Sequence, residues 1–281
     1  MTYKALLKQA EKNIDKENLE KDVAKFLIMH YADISVQELY LRLDQEVDVD
    51  LIEQFNQGLG LYISEKQPLQ YITGKQAFYG HEFYVNEDVL IPRWETEELV
   101  ERLIIYIDIT FSDKKLDILD IGTGSGCIAV TLAKETSNSN VVATDISEKA
   151  LKIAQKNNEK LETNVKFLVG DLFEPVKNMS FDLIVSNPPY IPNGEAIGPT
   201  VIHEPEVALY GGNKGLDFYE RIIRESKNYI NPHGLIAFEH ANNTKAELAE
   251  LALKYYPNAK VTQFQDLSKR DRFTFIEVGE L

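Results

Sequence analysis

The stretch LDILDIGTGSGCIAVTLA, residues 116–133, decides the fold. Leu116, Ile118, Leu119 and Ile121 make an apolar run of strand length, Gly122, Gly124 and Gly126 follow at once, and an apolar helical pattern opens with Cys127 and Ile128. Such a run belongs to a strand inside a sheet covered on both faces. Glycine lets the backbone turn tightly and approach a ligand closely. The helix beyond it offers unpaired N–H groups at its start. The spacing is G-x-G-x-G, whereas the pyrophosphate fingerprint is G-x-G-x-x-G, and position 127 holds Cys. A nucleotide-like ligand therefore fits better than a dinucleotide.

Outward from this turn, strands and helices alternate. The pattern predicts strands over 116–121, 141–145, 165–169, 181–186, 235–239, 259–264 and 272–278. Helices are predicted over 96–108 with Thr96 as cap, from about 126, over 147–160 with Ser147 as cap, and over 216–229 and 243–255. This alternation implies βαβ crossovers and an α/β fold with a mostly parallel sheet. Ligands of such sheets bind beyond the carboxyl ends of the strands.

Residues 2–72 read as helical instead. Ala5, Leu6, Ala10 and Ile14 share one face, as do Val23, Phe26, Leu27 and Met29. Ser35 and Glu38 have capping-box spacing. Asp44, Glu46, Asp48, Asp50 and Glu53 form an acidic run, read as a solvated face. The runs AFY and EFYV around Gly80-His81 predict a β-hairpin. The expected division is a helical domain over 1–73, a hairpin linker over 74–90 and an α/β domain over 91–281.

Composition narrows the functional classes. The 281 residues are 44% hydrophobic and 27% charged, ordinary for a globular protein. A net charge of −15 without a basic stripe argues against a duplex-binding protein. No apolar run is long enough for a membrane helix, and the N-terminus lacks a signal-peptide core, so no membrane association is expected. Cys127 is the single cysteine, read as a core residue, and a reducing cytoplasm is expected. The five histidines, at 30, 81, 203, 233 and 240, show no metal-ligand spacing, and no metal is expected.

Three acidic positions end strands. Asp145 could accept both hydroxyls of a ribose or merely cap the next helix. Asp171 and Leu172 could meet the base end of the same ligand, or form a polar turn. Asp120 could cap nearby N–H groups or face the ligand's charged end.

The stretch FDLIVSNPPYIP, residues 181–192, supplies the reactive chemistry. A planar NH2 group has a delocalised lone pair and is a poor nucleophile. Two fixed acceptors can orient its N–H bonds, and the Asn187 side-chain oxygen and the Pro188 carbonyl form such a pair. Pro188 and Pro189 stiffen the loop. Tyr190 offers a face on which a planar group can stack. The work is positioning and electrostatics.

NPPY after a strand, downstream of DIGTGSG, resembles the class I S-adenosylmethionine-dependent methyltransferases that act on planar amino groups. Within them the chain is similar to the HemK or PrmC family, the glutamine-N5 methyltransferases of peptide chain release factors. PLQYITGKQAFYG, VLIPRWETEELVE, EPEVAL, GLDFYERI and DLSKRDRF carry that likeness in order, over about residues 67–278, and the N-terminal helices match in kind and position. The resemblance implies a Rossmann-like sheet of seven strands, mostly parallel, with a small helical substrate-recognition domain ahead of it. It implies that Gly122, Thr123, Gly124, Ser125 and Gly126 line the methionine and ribose of S-adenosylmethionine, that Asp145 holds the ribose, and that Leu172 falls where relatives can carry Trp. Asn187 would touch both cofactor and substrate. Asn187, Pro188, Pro189 and Tyr190 would clasp the substrate glutamine, in the Gly-Gly-Gln loop of a release factor, leaving S-adenosylhomocysteine as product.

Trp94 after LIPR, Leu172, and EHANNTK after the 235–239 strand depart from the family pattern. The loop 191–215 is long and is expected to help close over the substrate, while His203 within it is not needed as a base. A monomer without direct nucleic-acid contact is expected. Three other readings stand beside this one: glutamine methylation of a large-subunit ribosomal protein, adenine amino-methylation, and a non-catalytic binding module.

Overall fold

The structure, a computed structural model, describes residues 1–111 and 114–279. The chain divides into two units: residues 1–75 with 197–203, and residues 76–196 with 204–281.

The first unit is built on α1 (Tyr3–Lys16), α2 (Asp22–Ala32), α3 (Val36–Leu41), α4 (Val49–Ser64) and α5 (Leu69–Thr73). Local chemistry sets the helix starts. The Thr2 hydroxyl accepts from the Ala5 N–H, and the Asp48 carboxylate accepts from the Asp50 N–H. Ser35 and Glu38 form the expected capping box. Leu6, Ile14, Leu27, Ile28, Leu39 and Phe55 make the core. Two helix faces differ from expectation. Ala5 is exposed while Tyr3 is buried, and α2 buries Val23, Ala24, Leu27 and Ile28, leaving Phe26 exposed beneath Lys25. Two apolar stripes compete on α2, and packing against α1 and α4 selects the one of smaller residues.

Strands β1 (Lys75–Phe78) and β2 (His81–Tyr84) form the hairpin. Its turn is Tyr79-Gly80, one residue earlier than expected, with φ of 48° and 75°. Two left-handed residues are what a two-residue hairpin turn of the right twist requires. Phe78 and Phe83 meet edge-to-face beneath it, with centroids 5.8 Å apart.

The second unit continues with α6 (Trp94–Thr110), β3 (Leu116–Ile121), α7 (Cys127–Glu135), β4 (Ser139–Asp145), α8 (Glu148–Lys160), β5 (Lys166–Val169) and β6 (Phe181–Ser186). It closes with α9 (Asp217–Ser226), β7 (Ile230–Glu239), α10 (Lys245–Tyr255), β8 (Lys260–Gln265) and β9 (Asp271–Glu277). The seven-stranded sheet has the order β5-β4-β3-β6-β7-β9-β8, parallel except for β9, which runs antiparallel to both neighbours. This is the mostly parallel α/β sheet expected. One core cluster includes Leu103, Ile118, Ile128, Leu183 and Leu235; another includes Leu119, Ile184, Tyr219, Ile223 and Ile236. Successive residues of a strand thus serve different clusters, as covering on both faces demands.

The chain winds outward from β3 to β4 and β5, then returns to lay β6 on the other side of β3. That reversal makes the carboxyl ends of β3 and β6 the switch point, where doubly wound sheets bind ligands. Ile121 and Ser186 are paired, so residues 122 and 187 leave the sheet side by side. The Ser186 hydroxyl donates to the Ile121 carbonyl at 2.7 Å.

Two boundaries differ from expectation. Helix α9 stops at Ser226, and β7 begins at Ile230, because Asn231, Pro232 and His233 lie in the strand despite their turn-like composition. Thr96 is the third residue of α6 rather than its cap, which is Arg93 without a side-chain hydrogen bond.

Among the described residues, no helix is long and apolar enough to cross a membrane, and no cluster could hold a metal ion.

Ile184 lies fully buried in the middle of the sheet. Ile184→Ala is expected to lower the unfolding free energy by roughly 3 kcal/mol, read by chemical denaturation. A loss below about 1 kcal/mol would show that the site collapses around the vacancy.

Candidate active site

A cavity opens at the carboxyl ends of four successive sheet positions. Gly122 and Gly124 contribute from β3, Asp145 and Ile146 from β4, Asp171 and Leu172 from β5, and Asn187, Pro188 and Pro189 from β6. Val89 and Leu90 close one side, and Pro205, Val207 and Ala208 another. The structure thus brings eight of the twelve sequence-predicted residues around one space. Thr123, Ser125, Gly126 and Tyr190 stand outside its lining.

The glycine turn is built as the sequence suggests. Gly122, Gly124 and Gly126 all have positive φ, at 72°, 56° and 82°. A side chain on Gly126 would press on Ala154 of α8, whereas Gly122 and Gly124 have open space where a Cβ would point. Behind the turn, buried Asp120 accepts from the Thr123 hydroxyl at 2.6 Å and from the Ala129 N–H at 3.2 Å. So the capping reading of Asp120 holds for one oxygen, Oδ2. The other, Oδ1, is buried with no hydrogen-bond partner. Burial pushes its carboxyl up to about 7.

Asp145 lies 2.9 Å from the Gly124 N–H through Oδ2 and 2.8 Å from the Ser147 N–H through Oδ1. It therefore orients the glycine turn while facing the cavity. Burial raises its pKa, against those hydrogen bonds. Ser147 caps α8 as expected, accepting from the Ala150 N–H. Asp171 gives one oxygen to Arg221 at 2.6 Å. Leu172 adopts a left-handed backbone, φ 48°, unusual for a branched apolar residue and typical of strained residues at functional sites.

At the end of β6, the Asn187 Nδ2 donates to the Thr96 hydroxyl at 3.3 Å, and Thr96 in turn donates to Glu239 at 2.7 Å. Burial pushes Glu239 up to about 7, opposed by Thr96 and the charge of Arg272. Burial likewise pushes the Tyr190 hydroxyl up to about 12. Tyr190 packs on the apolar cluster around Tyr219 and Phe238. Cys127 is buried and its thiol is pushed up to about 12, as suits a core residue.

Several contributors were hidden from sequence reasoning. Gly211 and Gly215 lie directly against the NPPY backbone. A Cβ on Gly211 would sit 2.2 Å from the Pro189 carbonyl oxygen, and one on Gly215 2.1 Å from that of Tyr190. Backbone hydrogen bonds Ile191 to Leu209, Gly211 to Ile191 and Asn193 to Gly212 tie the two stretches together. The signal was the run GGNKG at 211–215. Glu204, buried in the same loop, pairs with Arg93 and accepts from the Ile91 N–H. The segments LIPR and EPEVAL are thereby joined. His203 belongs to the helical unit, where its Nε2–H donates to the Glu65 carbonyl. The departure EHANNTK is absorbed locally: His240 bonds Thr274 and the Ala241 carbonyl, and Asn242 accepts from the Asp271 N–H.

The site has relatives. The family described as Methyltransferase small domain matches residues 103–265, and PrmC N-terminal domain matches residues 4–74. The release factor glutamine methyltransferase of Bacillus cereus is 35% identical over 98% of this chain and 99% of its own length. That of Bacillus subtilis is 39% identical over 95% of this chain and 94% of its own. Among solved structures, a methyltransferase from Pyrococcus furiosus shares the fold, with a TM-score of 0.54 and 23% identity, over 73% of this chain and 92% of its own.

Gly211→Ala should cost about 1–3 kcal/mol of unfolding free energy through forced displacement of the Pro189 carbonyl. Gly60→Ala, at an exposed position of α4 with open space, should stabilise by up to about 1 kcal/mol. Denaturation curves for both variants check the contrast; equal effects would refute the close backbone approach.

Proposed function

The chain belongs to the release factor glutamine methyltransferase family, and on that premise we propose that it transfers a methyl group from S-adenosylmethionine to the side-chain amide nitrogen of a glutamine in a peptide chain release factor. The observation that carries this reading is the adjacency of two ends. The glycine turn after β3 and the NPPY loop after β6 border one cavity.

The residues around the cavity fit S-adenosylmethionine. Gly122 and Gly124 leave a cradle without side chains, and Asp145, which lines the cavity from the neighbouring strand end, is assigned to the ribose hydroxyls. Asp120 presents a buried unpaired oxygen behind the turn, suited to a cationic donor. Leu172 supplies an apolar wall at the base end, and Asp171 keeps one oxygen beyond its Arg221 bond. When bound, the sulfonium supplies an electrophilic methyl and departs as S-adenosylhomocysteine.

The chain's own part is positioning. Among the described residues nothing donates to the Asn187 Oδ1 or to the Pro188 carbonyl. Both acceptors can receive the two N–H bonds of an incoming amide, which turns the nitrogen lone pair toward the methyl. Pro188 and Pro189 restrict the loop, and the Gly211–Gly215 strap holds it from behind. Val89, Leu90, Pro205 and Val207 give the cavity apolar walls. The methylated amide then loses a proton to water, so no side-chain base is required. Tyr190 stands outside the cavity lining and packs on the apolar cluster, and we assign it to holding the loop from that side. The helical unit, which matches the PrmC N-terminal domain, is the proposed recognition element for the release factor, whose Gly-Gly-Gln loop carries the target. The cytoplasm, where translation is terminated, is the proposed compartment.

The test is transfer of labelled methyl to purified release factor, to the same factor with that glutamine changed to alanine, to ribosomal proteins and to duplex DNA, with the label located by peptide mass spectrometry. Label on the glutamine alone supports the proposal. Label confined to a ribosomal protein or to adenine overturns the partner. Asn187→Ala should lower kcat by roughly two to three orders of magnitude, as for loss of one preorganised polar contact. Asp145→Ala should mainly raise the Kd for S-adenosylmethionine in calorimetry; an unchanged Kd would leave Asp145 as a turn-orienting residue only.

A further inference from the structure

An asparagine amide has two ends of nearly equal size and opposite hydrogen-bonding character. Asn187 serves as an acceptor only if its NH2 end is turned away from the cavity. Something must hold it so. We propose that Glu239, acting through Thr96, is the positioning residue that fixes the Asn187 amide with Nδ2 inward and Oδ1 toward the substrate amide. This inference rests on the methyl-transfer reading above and deepens it.

Proton counting carries the argument. The Thr96 hydroxyl has a single proton. It goes to Glu239 Oε2, at 2.7 Å, since a carboxylate can only accept. Toward Asn187, therefore, Thr96 can only accept, and Nδ2 is the end that can donate, at 3.3 Å. Thr96 is thus the one group that bonds both Asn187 and Glu239 among the described residues. Glu239 and the intervening Thr96 are buried, at 1% and 2% exposure, so water does not readily substitute for either, while Asn187 is half-buried. The reversed amide would set the Asn187 oxygen against a Thr96 oxygen whose only proton is already given to Glu239, and present N–H bonds to a substrate that itself offers N–H bonds. The buried carboxylate thus sets the polarity of the acceptor and favours an amide target over a carboxylate one.

The groups facing Glu239 are Glu95 and Thr96 of α6, Arg272 of β9, Asn187 and Tyr190 after β6, Tyr219 of α9 and Cys127 of α7. Tyr219 donates to the Glu239 backbone carbonyl at 2.8 Å, which holds the strand end in place. Once protonated, Glu239 could donate to Thr96 and release the hydroxyl proton to Asn187, which permits the reversed amide. The productive form is therefore the carboxylate, and kcat should rise as pH rises through the neutral range in which burial makes Glu239 titrate.

The decisive experiment compares Thr96→Val with Thr96→Ser. Valine keeps the shape and loses the hydroxyl; serine keeps the hydroxyl and loses a methyl. If Thr96 only packs, serine is the more damaging change. If it relays, Thr96→Val should lower kcat roughly a hundredfold, with the S-adenosylmethionine Kd unchanged, while Thr96→Ser retains most of the wild-type kcat. Thr96→Val as active as Thr96→Ser overturns the inference. A second readout is the pH profile of kcat: its acid limb should vanish in Glu239→Gln, and its persistence there would also overturn it. A wild-type protein that fails to label the glutamine at all would instead defeat the methyl-transfer reading, so the two failures are distinct.

Discussion

The parallel pairing of β3 with β6 is the constraint on which the rest of the structure depends. The chain visits β4 and β5 before returning to β3, so these two strands are neighbours in space while 65 residues separate Ile121 from Ser186. Their pairing fixes the two loops that follow. One loop is made of glycines whose backbone faces the cavity, and the other is stiffened by two prolines. A slip of one residue in this register would turn every side chain of a strand to the opposite face. That slip would move buried Leu183 and Ile184 between the two core clusters. Core packing on both faces therefore protects the alignment of the reactive loops.

Around that fixed pair, the structure adds stiffness from long range. The Gly211–Gly215 strap approaches the NPPY carbonyls more closely than any side chain would allow. Glu204 ties the same loop to Arg93, and Glu239 with Thr96 holds the Asn187 amide. Buried carboxylates are unfavourable unless each is satisfied by hydrogen bonds or a partner charge. Here Glu204 pairs with Arg93 and accepts from the Ile91 N–H, and Glu239 accepts from the Thr96 hydroxyl. Asp120, behind the glycine turn, keeps one unsatisfied oxygen.

Local chemistry was legible in the sequence, and long-range chemistry was not. The strands 116–121 and 181–186, the Ser35–Glu38 box and the Ser147 cap depend on neighbours within a few residues, and each stands where the pattern set it. The first five residues of β7 escaped because Asn231, Pro232 and His233 look like a turn, yet Ile230 pairs with Phe181 across a register irregularity. The face of α2 was misread because residue type alone does not rank two apolar stripes; the packing partner does. Thr96 was taken for a cap because its partner, Glu239, lies 143 residues away. A glutamate ending a core strand, in LIAFE, was the one local sign of that link.

The central claim is geometric: two acceptors at the end of β6 hold the substrate amide against the cofactor cavity. The measurement that tests it most directly is a crystal structure with S-adenosylhomocysteine and a peptide carrying the Gly-Gly-Gln loop. The account predicts the glutamine amide nitrogen within hydrogen-bonding distance of both Asn187 Oδ1 and the Pro188 carbonyl, with Asn187 Nδ2 on Thr96. A glutamine bound elsewhere, or an Asn187 turned to present Nδ2 to it, would contradict the account.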